Sequence, residues 1–410
     1  MSDASDAGTG LSHADLVEEN LRLLAAAKAG QGPRCSRPWT GLDEFHREGH
    51  VRPCVWSKVT VGSVQSAADI DTVWNGPRMQ EYRRRMAAGD TEGLCFAHCP
   101  IQSDRTENFE KLELHDYTRE ELAACSARFL DNRRRVLEAF LAGATTVPAR
   151  PIKLRLYPSD RCNIRCSMCD LDKDQPNFSK PWYVNGDLAE LEPTLEELRV
   201  WGGEPLFDAM SRQLLLDDRG HPHLHRCFVT NGMIVSDRIV DALRRLRVGW
   251  IAVSLDSHRG EIHEAIRTHS RWRIVQRNLT TLIEIGETHP THPFPVFGNF
   301  VIQARNFRGC AEFVAFAHER GFVPNFSLIM GSTELLDHGA AVEAELERAL
   351  TQASRVEAVG AVSSIRRMLE TLPDYLRSSG IHAAPSEPEI VVLGRQVADS
   401  AGFDWGRHCV

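Results

Sequence analysis

Cys162, Cys166 and Cys169 fall in a CxxxCxxC run between Arg161 and Asp170. Three thiolates this close in the chain can bind metal. Most protein-bound [4Fe–4S] clusters take four cysteines, so a trio would leave one iron of a cubane open to another ligand. Zinc, or three reduced and buried thiols, is the plainer reading of the same spacing. Further along, an apolar run at 195–201 ends in Gly202-Gly203-Glu204-Pro205. Paired glycines let backbone approach a ligand closely, and a carboxylate such as Glu204 accepts strong hydrogen bonds from an ammonium group.

These residues need a frame, and the sequence repeats one. Apolar runs at 227–232, 250–256 and 297–303 end in polar or glycine residues, among them Asn231, Ser254 and Asp256. Helical spacing follows the strands at 236–246, 271–285 and 310–320. Short apolar strands alternating with helices predict βαβ units and a parallel sheet. Barrel enzymes carry their sites at the C-terminal ends of such strands.

The cysteine triad, the GGEP run and this alternation together resemble the radical S-adenosylmethionine (radical SAM) superfamily. The resemblance implies an α/β fold with a partial, TIM-like (β/α)6 barrel over residues 150–335. It implies a [4Fe–4S] cluster on Cys162, Cys166 and Cys169, with S-adenosyl-L-methionine (SAM) chelated at the open iron. Electron transfer from a flavodoxin or ferredoxin-type donor then cleaves SAM to a 5′-deoxyadenosyl radical, which removes a hydrogen atom from substrate. Gly202, Gly203, Glu204 and Pro205 would bind the SAM amino group, and Ser254 its ribose or carboxylate. Asn231 and Asp256 join the same binding set. Arg267 could pair with the SAM carboxylate, or form an ion pair on a helix surface.

Cys35, Cys54, Cys95 and Cys99 make a second set upstream. Thirteen residues separate Cys35 from Gly49, Gly49 to Cys54 is a GxxxxC step, and Cys95 to Cys99 closes as CxxxC. The pattern resembles the SPASM/Twitch auxiliary module, which implies a second [4Fe–4S] cluster on these four residues. An all-cysteine zinc knuckle fits the same count. Two clusters would need more cysteines. In related chains the module usually follows the barrel; here it precedes it.

Four cysteines remain. Cys125 and Cys227 read as core packing, since a free cysteine behaves as a small hydrophobe. Cys310 opens a helix after a barrel strand, where a helix N-terminus can lower a thiol pKa. Related epimerases return a hydrogen atom from cysteine, so Cys310 and Cys409 are candidate donors, with packing as the alternative. His221, His223 and His225 alternate in an HPHLH run, read as an exposed loop in preference to a metal site.

Composition bounds the rest. The chain has 410 residues, 42% of them apolar, and a net charge of −8, which argues against a nucleic-acid partner. No apolar run approaches the roughly 18 residues that span a bilayer, so no membrane partner is expected. The acidic start lacks the apolar core of a signal peptide, and cysteines in metal-binding spacings suit a reducing, cytoplasmic setting.

Five regions follow from this reading: a tail and helix at 1–34, with 1–10 disordered and 12–29 helical behind a Ser12 cap; an auxiliary-cluster domain at 35–112; a helical connector at 113–149; the radical SAM core at 150–335; and a helical segment at 336–410, with helices at 340–355 and 362–376. The 34 residues before Cys35 are too few for the winged-helix domain that relatives use to recognise peptides. The expected substrate is thus a small molecule, sugar-like in character, undergoing oxidation or epimerisation. Modification of a ribosomally made peptide is the alternative, and a zinc-stapled binding scaffold without catalysis is the contrasting class.

Overall fold

Period-two alternation builds the sheet. In Lys153–Ser159, Leu154 and Leu156 point into the core while Lys153 and Arg155 share the opposite face, and the register against the neighbouring strand shifts after Leu156. The computed structural model describes residues 10–45, 49–95, 99, 114–169, 171, 183, 188–329 and 333–382. Its strands are β1 (Gly41–Phe45), β2 (His50–Arg52), β3 (Gly62–Ser63), β4 (Lys153–Ser159), β5 (Arg165–Cys166), β6 (Glu197–Gly202), β7 (His225–Thr230), β8 (Val248–Ser254), β9 (Arg267–Thr268), β10 (Val296–Ile302) and β11 (Val323–Leu328).

Among the described residues one sheet runs β11-β10-β8-β7-β6-β4-β1-β2-β3. Every pairing from β11 to β1 is parallel. Strands β4, β6, β7, β8, β10 and β11 are therefore the six strands of a partial barrel, as expected. The helices Ala209–Leu216, Asp237–Arg245, Trp272–Thr288 and Cys310–Arg320 return the chain between them. Each buries an apolar stripe, such as Val275, Leu279 and Leu282, worth about 1.5–3 kcal/mol per large side chain. Strands β7, β8 and β10 begin and end one or two residues before the apolar runs suggest, because their polar last residues lie in the loops. Strand β11 carries Pro324 and Asn325; an edge position tolerates that proline.

The N-terminal cysteine region joins the barrel sheet through its first strand. Strand β1 pairs in parallel with β4, with Leu42 opposite Leu154, so it extends the barrel sheet. Gly49 leads into β2 at φ 72°, and a Cβ there would meet the Val64 carbonyl at 2.2 Å; only glycine fits that approach. The first helix, His13–Lys28, carries the expected Ser12 cap, completed by Asp15. The connector is two helices, Arg119–Ala123 and Ala127–Leu141, each with its own cap, at Thr118 and Ser126. Helices Gly339–Arg355 and Val359–His382 follow β11. No helix among the described residues is long and apolar enough to cross a membrane. The expected disorder at the N-terminus lies outside the described residues, apart from Gly10.

The histidine run is not an exposed loop. His223 and His225 are buried, because the connector covers the N-terminal ends of the strands. His225 stacks on His115 at 3.7 Å, and His223 on Phe129 at 4.1 Å. Arg247 donates to His225 Nε2 at 2.9 Å and pairs with Glu121 at 2.6 Å. Tyr117, His292 and Glu197 complete the surroundings. Burial pushes His223 and His292 down to about 4 and His225 well below its ordinary value. These imidazoles fold neutral, whereas the unfolded chain protonates near 6.5. The unfolded state then binds more protons, so stability is complete above about pH 6.5 and lost as pH falls toward 4. Thermal melts should show Tm dropping across that window; a Tm unchanged down to about pH 5 would contradict neutral burial.

Candidate functional site

The cysteine triad lies in the loop leaving β4, at the C-terminal mouth of the barrel strands, with all three residues partly exposed. Cys166 belongs to β5, which pairs antiparallel with β9 and sets Cys166 opposite Arg267. The Ser167 amide donates to the Ile266 carbonyl at 2.8 Å. From the end of β7, Asn231 Nδ2 donates to Asn163 Oδ1 at 2.8 Å and lies 3.8 Å from Cys162 Sγ. Arg267 Nη1 lies 3.5 Å from Cys166 Sγ. Two strand ends thus grip the loop that carries the thiols.

Arg267 does not sit on a helix surface. It is 6% exposed, and its guanidinium pairs with Asp256 at 2.8 Å. Asp256 follows β8 at φ 56°, a backbone region non-glycine residues rarely adopt. Its Oδ1 accepts from the Val301 amide at 2.7 Å. Burial pushes the Asp256 carboxyl up, and Arg267 opposes that rise. Burial works against the Arg267 charge, but Asp256 and the thiols of Cys166 and Cys169 hold its pKa above the ordinary value. The Asp256 carboxylate therefore orients Arg267, with one oxygen already committed to Val301.

The glycines make a close approach within the chain. A Cβ on Gly203 would lie 2.1 Å from the Arg161 carbonyl, and Gly202 stands at φ 120°. Gly203 N donates to Ser159 O at 2.8 Å and Glu204 N to Arg161 O at 2.7 Å. The group closely approached is the cysteine loop itself. Glu204 is buried; Oε1 accepts from Leu206 N at 3.1 Å and Thr230 Oγ1 at 2.7 Å, and Oε2 from Asn231 N at 2.6 Å. Of a carboxylate's roughly four acceptor positions, one on Oε2 remains. Burial raises this carboxyl to about 7, with the Asn231 amide and Thr230 hydroxyl offsetting part of the rise. Pro205 is buried beside it. Ser254 ends β8, buried and in register with Asn299 of β10.

Residues 156–296 match the family model of the Radical SAM superfamily. The chain carries a radical SAM domain. Its relatives include GTP 3',8-cyclase of Streptomyces coelicolor, 29% identical over 33% of this chain and 42% of the relative. Another is Molybdenum cofactor biosynthesis protein 1 of Drosophila melanogaster, 23% identical over 40% and 30%. GTP 3',8-cyclase 1 of Mycobacterium tuberculosis is 25% identical over 50% of this chain and 57% of the relative. The match thus spans between 30% and 57% of the length of these relatives. Among solved structures, Streptococcus suis SuiB bound to precursor peptide SuiA aligns with TM-score 0.41 at 17% identity, over 68% of this chain and 60% of that one. TsrM from Kitasatospora setae, with cobalamin and a [4Fe–4S] cluster bound, gives 0.34 at 15% identity, over 45% and 37%.

The second cysteine set meets at one pocket beside the radical SAM domain. Cys35, Cys54, Cys95 and Cys99 all line it. An antiparallel bridge between Ser57 and Cys95 ties the Cys54 turn to the Cys95 segment. Tyr82 Oη lies 3.4 Å from Cys95 Sγ. Arg37, Arg155 and Arg199 share the wall with Asp43, the single carboxylate among the described lining residues. Arg367, from the last helix, feels the charge of Cys99, although burial pulls its own pKa down. Soft thiolates among cations fit an anionic iron–sulfur or zinc group. Among the described residues no three His, Cys, Asp or Glu side chains are placed to hold a single metal ion. Sequence reasoning missed these arginines; the alternation of Lys153, Arg155 and Tyr157 with leucines was the available signal.

The leftover cysteines are packed. Cys125 and Cys227 are buried as expected. Cys310 is also buried, and burial together with Glu345 and Glu312 pushes its thiol well above the ordinary value. Helix Gly339–Arg355 covers the start of the Cys310 helix, with Ala311 N donating to Glu345 Oε1 at 3.0 Å. A helix N-terminus alone does not decide a thiol's reactivity when carboxylates face it. Cys409 lies outside the described residues.

Breaking the buried Arg267–Asp256 pair should cost about 3–5 kcal/mol, since a lone buried carboxylate is left behind. Anaerobic urea unfolding of Arg267→Met should show that loss, and adding Asp256→Asn should recover over half of it. Equal stability of Arg267→Met and the parent would remove the pair from this role.

Proposed function

We propose that this protein is a radical SAM enzyme acting on a small molecule, with a [4Fe–4S] cluster on Cys162, Cys166 and Cys169 and SAM at its open iron. Reductively cleaved SAM supplies a radical able to take a hydrogen atom from an unactivated carbon, while the protein supplies position and solvent exclusion. The observation that carries the reading is the triad clamped by Asn231 and Arg267 at the mouth of six parallel strands, beside the buried carboxylate of Glu204.

The residues divide the work. Glu204 offers its remaining acceptor position to the SAM ammonium, and Thr230 with Asn231 fixes its orientation. Arg267 places positive charge beside the thiolates and, shared with Asp256, is the partner for the SAM carboxylate. Ser254 and Asn299 stand on the same strand ends, within the barrel face that receives substrate. Trp201, Trp250 and Phe297 wall that face. Two of the reported relatives are named GTP 3',8-cyclases, which supports a small-molecule substrate over a peptide; the sugar-like character rests on the sequence alone.

Cys35, Cys54, Cys95 and Cys99 hold the second, auxiliary [4Fe–4S] cluster in this reading, in a SPASM/Twitch-type arrangement placed before the barrel. The cationic wall of their pocket supports it. With Cys310 packed against carboxylates, loss of a second electron is favoured over return of a hydrogen atom, so oxidation is the expected outcome. A flavodoxin or ferredoxin-type donor and a cytoplasmic setting suit thiol-ligated clusters.

Two measurements test this. Replacing all three triad cysteines by Ala should abolish 5′-deoxyadenosine formation yet leave about four irons on the second set; undiminished production, or zinc there after anaerobic expression, sinks the corresponding assignment. Above about 7 Glu204 is an anion and below it a neutral acid. SAM affinity should therefore tighten as pH rises through 7, and Glu204→Gln should lose that dependence; a parallel pH profile for both proteins would argue against Glu204 as the ammonium acceptor.

A further inference from the structure

The pocket of the second cysteine set opens onto the barrel's inner face. Parallel register places Asp43 of β1, Arg155 of β4, Arg199 of β6, Cys227 of β7 and Trp250 of β8 on one rung. In-register neighbours project to the same side of a sheet. Asp43, Arg155 and Arg199 line the cysteine pocket. On their other side the two guanidinium groups reach aromatic rings: Arg155 lies 5.5 Å from the Trp201 centroid, and Arg199 5.5 Å from that of Trp250. One pair of cations therefore lines the pocket of the four cysteines and lies against the aromatic wall.

The local charge balance stays positive. Asp43 approaches Arg155 at 3.7 Å and Arg37 at 2.5 Å. Glu197 pairs with Arg199 and, at 3.4 Å, with Lys153. Among the described residues, four cations, Arg37, Lys153, Arg155 and Arg199, thus face these two carboxylates. Burial would raise the Glu197 carboxyl, but Arg199 and Lys153 hold it well below the ordinary range, so Glu197 is counted as charged.

We propose that Arg155 and Arg199 are tuning residues for an iron–sulfur cluster on Cys35, Cys54, Cys95 and Cys99, raising its reduction potential on the side that faces the substrate wall. The proposal rests on the auxiliary-cluster reading above. Reduction adds one electron, and so one negative charge, to an already anionic group, with no bond made or broken. A cation at the wall of a largely apolar pocket stabilises the reduced form more than the oxidised one. Position on the shared rung makes these two arginines, and not the exposed arginines of the helices, the groups whose charge is felt on both sides.

The test uses the full chain with Cys162, Cys166 and Cys169 replaced by Ala, reconstituted anaerobically, titrated with dithionite and followed by electron paramagnetic resonance. Arg155→Gln and Arg199→Gln should each lower the midpoint. Together they should lower it by at least about 59 mV, a tenfold change in the one-electron equilibrium, and Lys at both positions should restore most of it. Asp43→Asn removes the opposing carboxylate and should move the midpoint upward, which keeps the test available where a Gln variant does not fold. Unmoved midpoints with iron and sulfide retained overturn the tuning role and leave the cluster in place. A chain that holds no iron and sulfide on these four cysteines overturns the auxiliary-cluster reading itself.

Discussion

A single buried guanidinium joins the barrel to its cysteine loop. Arg267 lies between the Asp256 carboxylate and the Cys166 thiol, and both neighbours are held by backbone. Asp256 is fixed by the Val301 amide and by its own left-handed conformation; Cys166 is fixed by its pairing with β9. A cation in this position offsets the charge of clustered thiolates and prevents the loop from drifting away from the strand ends. Without it, hydrogen bonds from Asn231, Gly203 and Glu204 would still hold the loop, but the Cys166 thiol would lose this cation.

A second contact sets the distance. Gly203 lies against the Arg161 carbonyl with no room for a methyl group, so the loop and the end of β6 are in van der Waals contact through backbone alone. Glu204 then turns inward and bridges to β7 through Thr230 and Asn231. The same Asn231 reaches forward to the cysteine loop. A short circuit of hydrogen bonds, from β4 to β6 to β7 and back, defines the mouth. Burial raises the carboxyl at the centre of this circuit, and the donors from Asn231, Thr230 and Leu206 offset part of that rise.

The cysteine-rich N-terminal region takes part in this sheet instead of hanging from it. Strand β1 adds to β4 in parallel, which brings Asp43 level with Arg155 and turns the second pocket toward the barrel's inner face. This arrangement sets Arg37, Lys153, Arg155 and Arg199 against Asp43 and Glu197, with Arg155 and Arg199 partly exposed. The helical connector closes the opposite end, where Arg133 and the stacked imidazoles of His115 and His225 pack beneath the strands.

Much of the barrel was legible in the residues themselves. Runs such as 250–256 announce a strand because apolar side chains there have no other way to be buried, and the cysteine and GGEP spacings are local enough to read directly. The Ser12 cap was legible for the same reason, since a cap involves only neighbours within one turn. What the sequence could not decide depended on partners far away in the chain. Arg267 reads equally well as a surface residue until β8 supplies Asp256. The HPHLH run reads as a loop until the connector covers it. Cys310 reads as an activated thiol until Glu345 is brought against its helix. The glycines of the GGEP run read as making room for a ligand, yet the fold uses that room for its own backbone. Composition and spacing determine which groups exist and which strands form; only tertiary packing decides whether a charge is paired, a thiol buried or an imidazole kept neutral, because each of those depends on the distance to residues that the chain order does not place together.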